Sequence, residues 1–248
     1  MTEPILQVRH LYKAYGALLA TNDLSFDVAR GEVHALIGPN GAGKTTLVNQ
    51  LSGLLRPDSG SILLDGEEIS RMKPWRRVAR GLGRSFQITS IFDHLSVIEN
   101  LALAILAQNG HHFRFWQGAL DSPLVRRNLP AMLARIDLAE QADRPAHTLS
   151  HGQKKQLEVG MALAGNPRLL IFDEPMAGLG PGGTVEMSKL LRALKGSMTI
   201  LLVEHDMEAV FSLADRITVL VYGHNLATGT PAEIRANAAV RTAYLGEG

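Results

Sequence analysis

The sequence predicts an α/β fold in which a phosphate-binding loop lies between a buried strand and a helix. Short, nearly continuous apolar runs recur along the chain, as is typical of strands buried on both faces; they are residues 33–37, 169–172, 200–203 and 217–221. Segments with helical periodicity lie between several of these runs, as in α/β proteins. The glycine-rich stretch GPNGAGKTT follows the first run directly.

Composition excludes several classes of protein. The 248 residues include 25 Lys and Arg against 24 Asp and Glu, and this near balance gives no reason to expect nucleic acid as a partner. The absence of cysteine excludes disulfides and thiolate metal sites and fits a reducing compartment. The apolar runs are too short to cross a bilayer, and the N-terminus lacks the pattern of a targeting signal. We therefore expect a chain that is soluble by itself.

The organisation predicted is one domain, residues 1–248, with a helical insertion. No repeat or long linker suggests a boundary between independent domains. Residues 5–28 alternate between apolar and polar side chains, which predicts an antiparallel β edge. From about 92 to 165 the strand signals fade, and we expect a helical subdomain with helices near 97–107 and 129–136. Further helices are predicted at 184–194 and 207–213.

The stretch GPNGAGKTT, residues 38–46, has the spacing G-x-x-x-x-G-K-[ST] of a loop that cradles phosphates. Glycines let several backbone N–H groups point at one anion, and the helix expected from Lys44 adds the positive end of its dipole. The Thr45 hydroxyl is a candidate Mg²⁺ ligand. A plain turn is the simpler interpretation, but the strand–loop–helix context favours a nucleoside triphosphate. The candidate contacts are Gly38, Asn40, Gly41, Gly43, Lys44, Thr45 and Thr46.

Polar side chains follow two other predicted strands, at the sheet edge where ligands of α/β proteins bind. Asp173 ends the run RLLIFD and is placed to hold Mg²⁺, and Glu174 is a candidate base for an attacking water. His205 follows the next strand and can donate a hydrogen bond to a terminal phosphate. Taken alone, the carboxylates could simply end a strand, and Asp206 could simply cap the helix expected from Met207.

A second anion site is predicted at the stretch LSHGQ. Ser150 and Gln153 have the spacing of a capping box, which predicts a helix from about His151. The Ser150 hydroxyl, the Gly152 backbone and the free N–H groups of the helix start form a site of the same kind as the first. A well-capped helix without a ligand is the simpler alternative.

These motifs together resemble those of the ATP-binding cassette (ABC) ATPases over essentially the full chain. LSHGQ resembles their signature, and GPNGAGKT and LLIFDEP resemble their Walker A and Walker B motifs. Gln87 in GRSFQ matches the Q-loop, His205 the switch histidine, and Tyr15 in KAYG the aromatic residue that stacks on adenine. The resemblance implies a P-loop NTPase (RecA-like) core with an antiparallel β subdomain and an inserted α-helical subdomain.

The resemblance also implies a mechanism that uses both anion sites. Two chains, identical or different, pair head to tail, and each ATP lies between Lys44 of one and Ser150, Gly152 and Gln153 of the other. Glu174, His205, Lys44 and Gln87 would support hydrolysis, and Thr45, Gln87 and Asp173 would hold Mg²⁺. Tyr12 is a competing candidate for the adenine, but the K-x-Y-G context favours Tyr15. Two residues depart from the family pattern: His151 replaces a signature glycine, and Gly180 stands where many members have Asp.

Among ABC proteins the chain most resembles the ATPase subunits of branched-chain amino acid importers, through LSHGQ, VEHDM, AGLGP and the YLGE ending. This implies separate membrane permease subunits, an extracytoplasmic solute-binding protein as an indirect partner, and a peripheral location on the cytoplasmic face of the inner membrane. ATPases of lipid or lipopolysaccharide exporters and of urea or amide importers remain alternatives. P-loop kinases and GTPases would not need LSHGQ, and no N-K-x-D motif is present.

Overall fold

The computed structural model describes residues 3–85, 91–108 and 118–245. Its strands are β1 (Pro4–Tyr15), β2 (Leu18–Ala29), β3 (Val33–Ile37), β4 (Ser59–Leu64), β5 (Glu67–Glu68), β6 (Leu82–Arg84), β7 (Leu169–Asp173), β8 (Thr199–Val203), β9 (Arg216–Val221) and β10 (His224–Gly229). Its α-helices are α1 (Lys44–Ser52), α2 (Pro74–Ala79), α3 (Val97–Gln108), α4 (Pro123–Arg135), α5 (His151–Leu163), α6 (Pro181–Leu194), α7 (Met207–Leu213), α8 (Pro231–Ala236) and α9 (Ala238–Leu245).

The main sheet has six strands in the order β10-β9-β3-β8-β7-β6. Strand β3 pairs in parallel with β8 and β9, and β7 pairs in parallel with β8. Every residue of β3, β7 and β8 is buried, which explains why these strands are continuous apolar runs in the sequence. Because parallel strands end at one edge, Ile37, Asp173 and Val203 lie at the same side of the sheet.

The two faces of this sheet bury different side chains, as the period of two along a strand requires. Leu36 of β3 belongs to a core cluster shared with Leu47 and Leu51 of α1. Its neighbours Ala35 and Ile37 point into a second cluster, formed with residues of α7, α8 and α9. Helix α1 and the phosphate loop are thus held on one face of the sheet by apolar burial.

The antiparallel prediction for residues 5–28 is confirmed as strand pairing, but these strands are not an edge of the main sheet. Strands β1 and β2 pair antiparallel and form a separate four-stranded sheet in the order β2-β1-β4-β5. The antiparallel edge of the main sheet is β10, which returns along β9 through a tight turn at Tyr222 and Gly223. Both turn residues have positive φ, which matches the twist of a short hairpin.

The described residues divide into two compact units. The first falls within Met1–Leu82, Arg168–Glu174 and Lys195–Gly248, and the second within Gly83–Pro167 and Pro175–Leu194. Most regular structure in the described part of the second unit is helical, and Ala102 and Ile105 of α3 pack with Val125 of α4 in its core. The boundaries proposed for the inserted subdomain, about 92–165, stay a prediction.

Two helices begin earlier than the sequence-based expectations. Helix α4 begins at Pro123, six residues before the predicted start, because Pro is favourable in the first turn of a helix although the apolar pattern begins later. Helix α6 begins at Pro181 for the same reason. Helix α7 has the predicted bounds. Within the described part of the chain, no helix combines the length and apolarity that a membrane crossing requires.

Candidate nucleotide-binding site

The glycines of the phosphate loop sit where no side chain fits. A Cβ at Gly43 would lie 2.1 Å from the Ala20 carbonyl oxygen, and one at Gly38 would lie 2.3 Å from the Leu220 carbonyl oxygen. Gly43 also has φ of +100°, a conformation that L side chains rarely adopt. The backbones of strands β2 and β9 therefore pack closely against the loop. The loop can keep its curled backbone only with glycine at these two positions.

Helix α1 starts without any side-chain cap. Its N-cap is Gly43, which has no side chain to form a capping hydrogen bond, and the first turn carries no acidic residue. The first N–H groups of an α-helix lack partners inside the helix, and their positive partial charge attracts anions. A phosphate group can therefore accept hydrogen bonds from the free N–H groups at the start of α1.

The Lys44 ammonium lies inside the loop. Its Nζ donates hydrogen bonds to the carbonyl oxygens of Gly38 at 2.5 Å and Pro39 at 3.0 Å. Partial burial lowers the pKa of Lys44, and the carboxylates of Glu174 and Asp173 oppose this effect. The structure thus brings the predicted cation and the two predicted carboxylates into one electrostatic environment.

The two carboxylates follow one another at the end of β7. Asp173 is 3% exposed, and Glu174 adopts φ of +51°, a left-handed conformation that is uncommon for a residue with a side chain. The Glu174 N–H donates to the Val203 carbonyl oxygen at 2.8 Å and holds this turn against the end of β8. Backbone strain of this kind occurs often at functional sites, where the surrounding structure maintains it.

His205 lies beyond β8 with a side chain that is 63% exposed. The Oε2 atom of Glu204 accepts a hydrogen bond from the His205 backbone N–H at 3.1 Å and lies 3.8 Å from His205 Nδ1. Asp206 caps α7, as predicted, by accepting from the Ala209 N–H. The imidazole therefore projects from a fixed backbone. Glu204, which is fully buried, was missed as a candidate positioning residue, although an acid directly after a buried strand is a visible signal.

Tyr15 and Tyr12 differ in how available their rings are. Tyr15 ends β1 and is 52% exposed, with Lys13 Nζ 5.8 Å from its ring centre. Tyr12 is half-buried, and its hydroxyl interacts with Asp23; partial burial and this carboxylate raise the pKa of Tyr12. An adenine can stack on a free ring face, so the geometry favours Tyr15 over Tyr12.

The signature motif forms the predicted capping box at the start of α5. The Ser150 Oγ accepts from the Gln153 N–H at 3.2 Å, and the Gln153 Oε1 accepts from the Ser150 N–H at 3.0 Å. A Cβ at Gly152 would meet nothing closer than 3.6 Å. These three residues belong to the second compact unit, whereas the phosphate loop and the carboxylates belong to the first.

The remaining positions singled out in the sequence are Gln87, His151 and Gly180. Gln87, the predicted Q-loop residue, lies outside the described residues. His151, which replaces a signature glycine, is exposed in the first turn of α5. Gly180 is exposed directly before α6, and its carbonyl oxygen accepts from the Thr184 N–H at 3.0 Å.

The residues present fit a magnesium nucleotide. The exposed Thr45 side chain in the first turn of α1 and the Asp173 carboxylate supply oxygen atoms, which Mg²⁺ prefers as ligands. Mg²⁺ takes few protein ligands when phosphate oxygens complete its shell. In the described part of the chain no cluster of three or more His, Asp or Glu side chains could hold a metal.

Comparison with known proteins identifies the family. A family model described as ABC transporter matches residues 21–177. The chain belongs to the ABC transporter ATP-binding family. A second model, described as branched-chain amino acid ATP-binding cassette transporter, matches residues 224–248 of this ABC protein. The prediction of an ABC-type ATPase that binds ATP is therefore confirmed.

Relatives resemble this ABC ATPase over its whole length. The high-affinity branched-chain amino acid transport ATP-binding protein BraF of Pseudomonas aeruginosa is 42% identical, and the alignment covers 100% of both chains. The corresponding protein LivG of Escherichia coli strain K12 is 40% identical over 100% of both chains.

Solved structures share the fold. A nucleotide-free ATP-binding cassette of an ABC transporter has a TM-score of 0.85 at 29% identity, covering 99% of this chain and 100% of the other. An ATP-binding cassette in its ADP conformation has a TM-score of 0.86 at 29% identity and the same coverage. The predicted fold class is confirmed.

Proposed function

We propose that this chain is the ATP-hydrolysing subunit of an importer for branched-chain or related amino acids, acting with separate membrane permease subunits. The observation that carries the proposal is the match of residues 224–248 to a branched-chain amino acid cassette family. The full-length similarity to BraF and LivG supports it. The chain would then lie on the cytoplasmic face of the membrane, held there by its permeases.

The proposed catalytic unit is a pair of ATPase chains, either identical or different. The phosphate loop of one chain and the Ser150 start of α5 in the other enclose the same ATP. This arrangement accounts for two anion-binding helix starts in a chain that binds its phosphates at one of them. The Ser150 hydroxyl accepts the capping bond through a lone pair, so its own O–H is left to donate to a phosphate oxygen.

The candidate residues outside the α5 start each have a defined task in this proposal. The α1 N–H groups and Lys44 bind the phosphates, and Tyr15 stacks on the adenine. Glu174 orients the attacking water and accepts its proton, and His205 donates a hydrogen bond to the terminal phosphate. Thr45 and Asp173 would hold Mg²⁺, which when bound would neutralise charge on the phosphates. Gln87 would add a ligand and report nucleotide binding to the permease.

The test of the catalytic assignment is Glu174→Gln. The amide keeps the size of the side chain but cannot take a proton, so we expect ATP binding to persist and kcat to fall by about 100-fold or more. Size-exclusion chromatography with ATP should show accumulation of the paired form. Turnover at the unmodified rate would show that Glu174 is not the base.

The test of the transport assignment is reconstitution. Candidate membrane permease subunits would be co-expressed with this chain, purified as a complex and placed in proteoliposomes. We expect ATP-dependent uptake of leucine, isoleucine or valine, and loss of uptake with Glu174→Gln. Uptake of urea or an amide instead, with no response to these amino acids, would reject the branched-chain assignment while leaving the ATPase assignment intact.

A further inference from the structure

A basic segment without acidic residues surrounds helix α2. Between residues 69 and 92 the chain has six basic side chains and no Asp or Glu, although its overall charge is only +1. The six are Arg71, Lys73, Arg76, Arg77, Arg80 and Arg84. A concentration of one sign within a balanced chain indicates an interaction with the opposite charge. None of the roles proposed above uses these six side chains.

Two of these cations fix α2 in place and do not face a partner. Arg77 is 1% exposed and donates to the carbonyl oxygens of Gln50 at 2.5 Å and Leu51 at 2.7 Å, at the C-terminal end of α1. Arg80 forms two hydrogen bonds with the Glu67 carboxylate, at 2.6 and 2.8 Å. Helix α2 is therefore anchored to the end of α1 and to β5.

Arg84, at the end of β6, is half-buried, and the other three cations face solvent. Arg71, Lys73 and Arg76 are exposed, and the described residues provide no ion-pair partner for them. Glu67 is an acidic residue that contacts the end of α2, and it already forms an ion pair with Arg80. Their charges are therefore free to act on a partner.

Exposed apolar side chains accompany these charges. Trp75 is 63% exposed and Val78 is 42% exposed, and their separation of three residues places them on one side of α2. The Arg76 guanidinium lies 5.1 Å from the Trp75 ring centre. Leu54, which is 59% exposed, follows the end of α1 to which Arg77 anchors α2. An exposed tryptophan among cations is characteristic of a surface that meets the headgroup layer of a membrane.

We propose that Arg71, Lys73, Trp75, Arg76 and Val78, the α2 basic surface, bind the anionic headgroups of a phospholipid bilayer directly. Guanidinium and ammonium groups attract headgroup phosphates, and the Trp75 ring sits at the boundary between headgroups and acyl chains. Charge complementarity favours a lipid surface over a protein segment, because an anionic bilayer presents many closely spaced phosphates to the three unpaired cations. The contact adds to the attachment through permeases and does not depend on it.

Vesicle binding of the purified full-length chain tests this proposal. Arg71→Gln, Lys73→Gln and Arg76→Gln together should weaken partitioning onto vesicles that contain phosphatidylglycerol by about 100-fold, or about 3 kcal/mol at 1.4 kcal/mol per tenfold. The matched control removes three exposed cations elsewhere, in Arg127→Gln, Lys189→Gln and Arg192→Gln, and should retain most of the binding. Vesicles of phosphatidylcholine alone should bind little, and salt of about 1 M should release the protein.

Tryptophan fluorescence locates the contact. The chain has two tryptophans, so Trp116→Phe leaves Trp75 as the only one. We expect its emission to shift to shorter wavelength on anionic vesicles and to be quenched by brominated lipids. An unchanged emission, or equal losses of binding in the two triple variants, would overturn the proposal. Normal vesicle binding by the α2 triple variant combined with failure to assemble with permeases would assign the surface to a protein partner and also overturn it. ATP turnover by the purified protein without permeases tests the proposed function separately.

Discussion

Helices α1 and α5 both start with a motif that predicts phosphate binding, but their starts are built differently. Helix α1 follows Gly43 and has no side-chain cap. Helix α5 follows Ser150, and both halves of its capping box with Gln153 are formed. The first helix start leaves its backbone donors for a ligand, whereas the second satisfies part of its own requirement.

This difference shows that the two helix starts combine helix stability and ligand binding in different ways. An uncapped helix start is less stable by itself, and α1 is compensated by burial of Leu47, Val48 and Leu51 in the core. The α5 start is stabilised locally by its cap, so Ser150 can approach a ligand while the helix stays formed. The phosphate loop therefore binds its ligand through backbone geometry, whereas the signature motif is proposed to bind through the Ser150 side chain.

The largest effect expected from this comparison is that of Gly43→Ala. The new Cβ would overlap the Ala20 carbonyl oxygen in a left-handed backbone, so the free energy of unfolding should fall by about 3 kcal/mol or more. Urea unfolding of the nucleotide-free protein measures it.

Two other glycines serve as controls. Gly41 has φ of +79° and open space around its Cβ position, so Gly41→Ala should cost only the strain of the left-handed conformation, about 1–2 kcal/mol. Gly152→Ala, in α5, should change stability by about 0.5 kcal/mol or less, because its nearest neighbour would lie 3.6 Å away. Equal losses at positions 43 and 152 would refute the distinction between the two helix starts.

A smaller effect is expected from Ser150→Ala. Loss of the N-cap side chain should cost about 1 kcal/mol of stability. Because the same hydroxyl is proposed to donate to ATP, pairing of chains should also weaken, which size-exclusion chromatography with ATP in the Glu174→Gln background would detect.

Thr230→Ala is the matched control, since α8 starts with a capping box of the same kind, formed by Thr230 and Glu233. This variant should lose stability and keep ATP-driven pairing. If both variants paired equally well, Ser150 would be a structural cap only.

The smallest effect is a difference in pH dependence between the two capping boxes. Bonds from the Thr230 backbone N–H and hydroxyl lower the pKa of Glu233, whereas Gln153 in the α5 box does not ionise. A lowered pKa in the folded chain means that ionised Glu233 contributes stability above its unfolded value, and that this contribution is lost as pH falls through the folded value.

The corresponding experiment compares Glu233→Ala with Gln153→Ala by urea unfolding from pH 7 to pH 3. The cost of Glu233→Ala should shrink as pH falls below the ordinary glutamate value of 4.5, and the cost of Gln153→Ala should stay constant. A constant cost for both would contradict the ionic character of the α8 cap.

The sequence predicts some elements well and others not at all. Strand β3 and helix α7 have the bounds expected from apolar runs and capping residues, because these signals are local. Strand β10, HNLATG, was not predicted, since it is a mostly polar edge strand that forms only because β9 is beside it. Helix α2 was not predicted either, because its anchor is the buried Arg77, which donates to the main-chain carbonyls of Gln50 and Leu51, distant in sequence.

The candidate site divides in the same way. Short motifs by themselves determined the phosphate loop, the acidic end of β7 and the capped start of α5, because spacing along the chain sets the chemistry of a loop or a helix end. Only the tertiary structure decided that the Ala20 and Leu220 carbonyls exclude side chains from the loop, that Tyr15 is exposed whereas Tyr12 is half-buried, and that Glu174 is held in a left-handed turn. These features depend on backbone segments that meet after folding, and no local pattern records which segments will meet.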